Sequence, residues 1–372
     1  MAVRIATFNV ENLMSRFDFS GFRNELRQDR TLQLFEIRDE SHYRQLEQAR
    51  VVAHTDDTRQ QTALAIAAAD ADILCLQEVD SLDALRAFEY GYLYKMIGQG
   101  YLNKAMIKGN DSRGIEVAVL SREKTRDGED IELLGYESHA HLTFADLDLV
   151  SPELQATGNG PNDRIFRRDL ITADFRIGAQ RLTLFVTHFK SMGSGRDGID
   201  GRTWSMPIRI AEAKAARQII AERFDGKPHK ARWLVCGDLN DYREKIEVAG
   251  DARTGLSFTP VDEDITTSVD VLTAGGFCEN LVERRDVGDR WTLYHTRGPA
   301  ERHLCQLDYI LASPALARVN PKAVPDIVRA GQPWRTPFPP GQDVDRYPRI
   351  GWDRPKASDH CPVAVTLNLP GE

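Results

Sequence analysis

The sequence predicts an α/β fold in which mixed β-sheets carry helices on their outer faces. Strand-like and helix-like segments alternate only in part, several neighbouring strands are spaced as hairpins, and no compositional break divides the chain. A purely parallel, doubly wound sheet would alternate throughout. The 372 residues are therefore read as one domain, 1–372, with insertions near 14–57 and 321–356.

Taken in order, "VRIATFNVENL" (3–13) is dense in β-branched and apolar residues and reads as a first strand. Residues 14–57 are polar with weak periodicity, although "SHYRQLEQARVVA" has the composition of a helix. A helix is expected over 58–69, with Thr58 as its cap, followed by the strand "DILCLQEV". "GIEVAVLSR" (114–122) is a further strand, and "LITADFRIGAQRLTLFVTHF" is a hairpin turning at Gly178. Residues 207–223 open on Pro207 and align Ile208, Ala211, Ala215 and Ile219 on one helical face. "RWLVCGDL", "DRWTLYHTRG", "CQLDYILAS" and "DHCPVAVTLNL" are four more strands. The last two are separated by 321–356, which is irregular and rich in Pro, Gly and Arg.

Hydrophobic residues make up 41% and charged residues 28%, as in ordinary globular proteins. The net charge of −8 argues against a protein that grips nucleic acid through counterion release, though not against a hydrolase that must release a polyanionic product. No run approaches the roughly 18–20 apolar residues of a membrane span. "MAVRIATFNV" lacks the basic start and cleavage site of a secretory signal, so a cytoplasmic location is the default expectation. The five cysteines include no C-x-x-C pair, and Cys75, Cys236 and Cys361 read as small core hydrophobes. No protein partner can be inferred.

Candidate functional residues sit where apolar strands end. Asn9 and Glu11 are two apart and so face the same way, and Asp238 and Asn240 repeat that spacing. Glu78 ends "DILCLQE", His188 ends "LTLFVTH", Asp308 interrupts "CQLDYILA", and Asp359-His360 precedes "CPVAVTL". Any one of these could be a turn or capping residue. Six places with ligand-type side chains after buried strands form a pattern. Carboxylates and amides offer hard oxygen donors suited to Mg2+ or Mn2+, and histidines suit proton handling or phosphate stabilisation. Arg113 and Lys190 lie beside these strand ends as candidate phosphate contacts. Arg349, Arg354, Lys356 and Trp352 could form a basic, aromatic lip for a nucleic-acid strand. Trp204, Tyr242 and Trp334 are further loop aromatics.

The ordered set "FNVEN", "LQEVD", "RGIEVAVLSR", "THFKS", "GDLND", "LDYIL" and "SDHCPV" resembles the endonuclease/exonuclease/phosphatase superfamily, with its pancreatic-deoxyribonuclease-like fold. The resemblance runs from Asn9 to His360 and is far more specific for the superfamily than for a substrate. It implies a four-layer α/β sandwich, two mixed sheets packed face to face with helices outside. It further implies that Glu78 is the main metal ligand, with Glu11 and Asp359 close to the metal or its waters and Asn9 holding that shell. Asp238, with Asn240 beside it, would orient and deprotonate the attacking water. His360, paired with Asp308, would stabilise the scissile phosphate, and His188 would be a second phosphate contact or the acid for the leaving oxygen. Arg113, Lys190 and Arg354 are the candidate substrate contacts. Phe8 stands where abasic-DNA repair relatives carry tryptophan, and "GDLNDYR" with "QLDYIL" disfavours the inositol-phosphate phosphatases. The expected activity is divalent-metal-dependent phosphodiester hydrolysis with nucleic acid as substrate. The alternative is a phosphatase or phosphodiesterase acting on a small-molecule or lipid phosphate ester.

Overall fold

A computed structural model describes residues 1–13, 56–193, 195–196, 198–251, 253–296 and 301–371. The helix expected in "SHYRQLEQARVVA" and most of the 14–57 insertion lie outside the described residues.

Two six-stranded mixed sheets dominate. The first runs β15 (Asp326–Ile327), β16 (Val363–Asn368), β1 (Ala2–Leu13), β2 (Ile73–Val79), β4 (Glu116–Ser121), β3 (Asn103–Met106). The second runs β11 (Glu279–Asn280), β14 (Asp308–Ala312), β8 (Trp233–Asp238), β7 (Gln180–His188), β6 (Leu170–Ile177), β5 (Ile131–Ser138). Each sheet has one parallel pair, β1 with β2 and β7 with β8, and its other pairings are antiparallel. A parallel pair needs a crossover, and helices supply it: α1 (Asp56–Ala69) lies between β1 and β2, and α2 (Gly201–Arg223) between β7 and β8.

Strand periodicity explains the layers. Val3, Ile5, Ile73 and Cys75 of the first sheet meet Leu182, Leu184, Leu234, Cys236 and Ile310 of the second in one buried core. The alternate residues face outward. Ala6, Phe8, Leu74 and Leu76 pack under Ala63, Ile66 and Ala69 of α1. Phe185, Trp233 and Val235 pack under Ile208, Ala211, Ala215, Ile219 and Ile220 of α2. The result is a four-layer sandwich. Each fully buried Leu, Ile or Phe contributes about 1.5–3 kcal/mol, so these interfaces dominate the stability.

Two helix starts differ from expectation. α1 begins at Asp56, two residues before Thr58. α2 begins six residues before Pro207, because the Asp200 carboxylate accepts from the backbone N–H groups of Arg202 and Thr203 and caps an earlier first turn. Trp204 is consequently helical, and Tyr242 is buried rather than a free loop aromatic.

A four-stranded antiparallel sheet adds to the expected pair. It runs β10 (Gly255–Asp262), β9 (Glu244–Asp251), β13 (Arg302–Cys305), β12 (Leu293–Thr296), and an isolated bridge ties Leu293 to His360. All five cysteines are buried and free. No helix among the described residues is long and apolar enough to cross a membrane.

Candidate active site

At one end of the inter-sheet core the inward-facing positions change from apolar to polar without a change of period. Val3, Ile5 and Thr7 lead to Asn9; Leu182, Leu184 and Val186 lead to His188; Leu234 and Cys236 lead to Asp238; and Ala312 and Ile310 lie in line with Asp308. Cross-strand register then fixes neighbours, with His188 and Asp308 each standing opposite Asp238. The rigid strands deliver these side chains to one place. Gly237 makes the last step possible: its φ is 153°, and a Cβ there would lie 1.9 Å from the Thr187 carbonyl oxygen.

Asp238 is the hub. Its Oδ2 accepts from Asn9 Nδ2 (2.9 Å) and Asn240 Nδ2 (3.1 Å), and its Oδ1 accepts from the Asn240 backbone N–H (2.8 Å). His188 Nε2 lies 3.5 Å and His360 Nε2 3.8 Å from the same Oδ2. His360 Nδ1 donates to Asp308 Oδ2 at 2.8 Å. Asp308 is in turn positioned by the Thr292 hydroxyl, which accepts from the backbone N–H groups of Leu307 (3.0 Å) and Asp308 (3.2 Å).

Electrostatics divides the two imidazoles. His360 faces Asp308, Asp238 and Asp359, which outweigh its burial and push its pKa well above the usual value. His188 moves the other way: burial, reinforced by the positive charges of Arg168, His360, Arg113 and Lys190, holds it well below the usual range. At neutral pH His360 is cationic and His188 neutral. Burial, with Asp308 adding to it, pushes the Asp238 carboxyl up to about 6 against the opposing pull of His360, Asn9 and Asn240.

The carboxylates gather on the first-sheet side. Glu11, Glu78 and Asn240 all adopt positive φ, at 48°, 66° and 49°. Such backbone is uncommon for residues other than glycine and concentrates at functional sites. The strand register shifts at both glutamates' positions, between Asn9 and Leu13 and between Gln77 and Val79. Glu11 Oε2 accepts from Lys356 Nζ (3.0 Å) and the Asp359 backbone N–H (2.9 Å), while Oε1 accepts from Arg354 Nη2 (3.0 Å). Glu78 makes no hydrogen bond or ion pair with a described residue. Burial first, then the charges of Asp359 and Asp238, push its carboxyl up to about 7.

Among the described residues no group of three His, Cys, Asp or Glu side chains is placed to encage a metal ion. The donor set nevertheless fits a hard divalent cation. Glu78 and Asp359 offer oxygens, and no hydrogen bond or ion pair from a described residue occupies the Glu78 carboxylate, although the charges of His360, Arg168 and Arg113 act on it. Mg2+ characteristically takes one or two carboxylates together with waters and substrate phosphate rather than a full protein cage.

Of the three substrate-contact candidates, Arg113 is half-exposed, pairs with Asp111 (2.9 Å), and lies near enough to Glu78 for the two charges to interact. Lys190 donates to the Ser191 carbonyl (2.8 Å), and Arg354 is engaged by Glu11. The expected basic lip is therefore largely neutralised within the chain: Arg349 pairs with Asp57 (2.6 Å), and Lys356 is buried against Glu11. Its aromatic part is only partly open, because the Arg346 guanidinium lies over the Trp334 ring, 4.4 Å from its centroid. Trp352 is 73% and Trp334 55% exposed, on two segments joined by hydrogen bonds from Trp334 N–H to the Gly351 carbonyl and from Arg335 N–H to the Trp352 carbonyl.

Sequence reasoning overlooked Arg168. It is buried, with Nε 3.1 Å from Asp111 Oδ2 and Nη1 donating to the Phe189 carbonyl (3.1 Å), and its charge acts on both Glu78 and His188. Its only signal was a position just before a strand, the same as that of Arg113.

Among curated proteins, none matches this sequence. Solved structures share its fold. TDP2 from C. elegans superposes with a TM-score of 0.50 at 14% identity, covering 99% of this chain and 75% of that one. The human Nocturnin catalytic domain, solved with a bound sulfate anion, also gives 0.50 at 14% identity, covering 99% and 94%. The sequence itself matches the Endonuclease/Exonuclease/phosphatase family over residues 6–360, and with the strand-end carboxylates and histidines described above, the chain belongs to that family.

Proposed function

We propose that this chain is a divalent-metal-dependent phosphodiesterase, and a nuclease. The reading is carried by Asp238, a buried carboxylate ionised above about pH 6 and set between an imidazolium and a neutral imidazole. Asp238 accepts the proton of the attacking water, and Asn9 and Asn240 hold the carboxylate in place through the 2.9 and 3.1 Å hydrogen bonds. His360, kept charged by Asp308, donates to a phosphoryl oxygen as negative charge grows there. His188, being neutral, serves as a second phosphate contact rather than as a ready acid for the leaving oxygen. Arg113 and Arg168 add positive charge on the same side.

Glu78, with Asp359 beside it, would hold the cation, which supplies charge neutralisation at the phosphate and a lower water pKa. Asn9 steadies this shell through its side-chain carbonyl, which accepts from the Glu11 backbone N–H (3.0 Å). A nucleic-acid substrate is supported by the exposed indole of Trp352, two residues from Arg354, since an exposed aromatic face stacks bases without demanding a sequence. The in-chain pairing of Arg349, Arg354 and Lys356 favours the second reading, a small-molecule or lipid phosphate ester, because it leaves less free charge for a polyanion.

One experiment separates them. Wild type and Asp238→Ala are incubated with Mg2+, Mn2+ or EDTA and labelled single-stranded DNA, double-stranded DNA, RNA or bis(p-nitrophenyl) phosphate. Metal-dependent cleavage of a nucleic acid, absent in the variant, is expected. Cleavage of the small diester alone would transfer the assignment to small esters. Undiminished activity in Asp238→Ala would remove Asp238 from the mechanism.

A further inference from the structure

The 321–356 insertion carries more than its exposed tryptophans. Its Gln332 is buried and reaches the backbone of segment 358–360 from behind. The one side-chain amide nitrogen has two hydrogens and donates both, to the Ser358 carbonyl (3.2 Å) and to the His360 carbonyl (3.0 Å). We propose that Gln332 is a positioning residue for the reaction: it clamps the chain on either side of Asp359 and so holds the His360 imidazole in line with Asp308. The inference rests on the phosphodiesterase reading above.

The clamp is anchored at both ends. Gln332 is itself fixed, its backbone N–H donating to the Arg329 carbonyl (3.0 Å) and its backbone carbonyl accepting from Arg346 Nε (3.0 Å). Arg346 in turn lies against the Trp334 and Phe338 rings, 4.4 Å from each centroid. Next to Gln332, a Cβ on Gly331 would stand 2.4 Å from the Ala357 Cβ, so only glycine allows the approach that lets the Gly331 carbonyl accept from the Ala357 N–H (3.0 Å). At the other end the Ser358 hydroxyl donates to the Asn9 carbonyl (2.7 Å) and accepts from the His360 N–H (3.0 Å). The backbone of His360 is thus held at its N–H and at its carbonyl. Buried carbonyls need donors, and one amide serving two of them leaves the segment little freedom. The Asp308 carboxylate offers no second hold, because its Oδ1 is buried without a hydrogen-bond partner. Alignment of the 2.8 Å bond between His360 Nδ1 and Asp308 Oδ2 therefore depends on where segment 358–360 places the imidazole.

The test separates positioning from packing. Gln332→Met keeps the length and removes both donors. Gln332→Asn keeps the amide but is one methylene too short to reach both carbonyls, and it keeps the question answerable if Gln332→Met does not fold. Thr62→Val is the packing control, since it removes a different bond to the same stretch of chain, from the Thr62 hydroxyl to the Ala357 carbonyl (2.7 Å). The full chain is compared in each form by steady-state kinetics on the nucleic acid or diester that wild type cleaves, by urea unfolding, and by the 15N shift of His360 Nδ1 in histidine-labelled protein, assigned by its absence in His360→Gln. With KM within about threefold, kcat should fall about 10–100-fold in Gln332→Met and about 3–10-fold in Gln332→Asn. The Nδ1 shift should move in both. Thr62→Val should unfold at lower urea, yet keep the wild-type Nδ1 shift and a kcat within about twofold of wild type. Folded Gln332 variants with wild-type kcat and Nδ1 shift would overturn the inference, as would a Thr62→Val variant that loses kcat and moves the shift as much as Gln332→Met. If wild type hydrolyses no phosphate ester, the phosphodiesterase reading fails, and the Nδ1 shift still decides whether Gln332 places His360.

Discussion

The molecule contains two versions of one arrangement. In β1–α1–β2 and in β7–α2–β8, a parallel strand pair is closed by a helix, and both pairs end at the same cleft. The second pair ends in regular register, with His188, Asp238 and Asp308 side by side and Asp238 held by three hydrogen bonds from Asn9 and Asn240. The first pair ends irregularly, with Glu11 and Glu78 in left-handed backbone at register shifts. Proton transfer requires groups fixed to within a fraction of an ångström, and flush strand ends provide that. A cation with a partly aqueous shell asks for oxygen atoms and negative charge more than for exact placement, and bulged strand ends supply both.

If this division of labour is right, damage to the two halves should respond differently to added metal. Asp238→Asn, an isosteric change in the regular half, should lower kcat about 10^3–10^4-fold, a loss that raising Mn2+ does not recover. Glu78→Gln should lower activity about 10^2–10^3-fold at low metal and regain much of it as Mn2+ is raised, because what is lost is ion affinity. Steady-state kinetics across a metal titration checks both, and rescue of Asp238→Asn, or failure to rescue Glu78→Gln, would dissolve the distinction.

Asp308→Asn tests the regular half more finely. It removes the largest charge that keeps His360 protonated while preserving a hydrogen-bond acceptor at Nδ1. The alkaline limb of the pH–rate profile should move toward neutral pH and the maximal rate fall about 10–100-fold. The acid limb, set near 6 by Asp238, should shift down slightly or stay, since one neighbouring negative charge is gone. An unchanged alkaline limb would mean that His360 does not act as a cation.

The two halves were also unequally legible in the sequence. "GDLND" announced Asp238 and Asn240 because a buried strand that ends in an acid and an amide has few structural uses, and strict period-2 alternation carried His188 and Asp308 to the same face. Lys356 was hidden because "RYPRIGWDRPKASDH" reads as a solvated basic loop, and only tertiary packing turns Lys356 inward onto Glu11. Arg168 in "FRRDL" is likewise turned inward only by tertiary packing, onto Asp111 and the Phe189 carbonyl. The four-stranded sheet is hard to read from the sequence because β9 and β10 are charged and largely exposed, β10 is interrupted by Pro260, and β9 buries only Ile246 and Val248 of its eight residues. Pro207 misplaced the start of α2, since a cap seven residues upstream, at Asp200, outweighed the usual preference for proline in the first turn.

The smallest expected effect concerns stability and lies beside the regular half, at Asp169, the residue following Arg168. Asp169 Oδ1 accepts from the His139 backbone N–H (3.1 Å), while Oδ2 is buried without a hydrogen-bond partner. Burial pushes this carboxyl up to about 7. In the unfolded chain it titrates near 4, so between about pH 4 and 7 the native state binds the extra proton. Its contribution is therefore most favourable below pH 4, declines as pH rises through this window, and levels off above it. Asp169→Asn keeps the acceptor for His139 and can never ionise. Relative to wild type, the variant should match at pH 4 and gain stability on going to pH 8. Three pKa units set a ceiling of about 4 kcal/mol, and relaxation of the buried site should leave about 2 kcal/mol. Urea unfolding of both proteins at several pH values measures this difference. A variant that loses stability equally at every pH would show that Asp169 is held by contacts an amide cannot make, and that its charge is no burden to the fold.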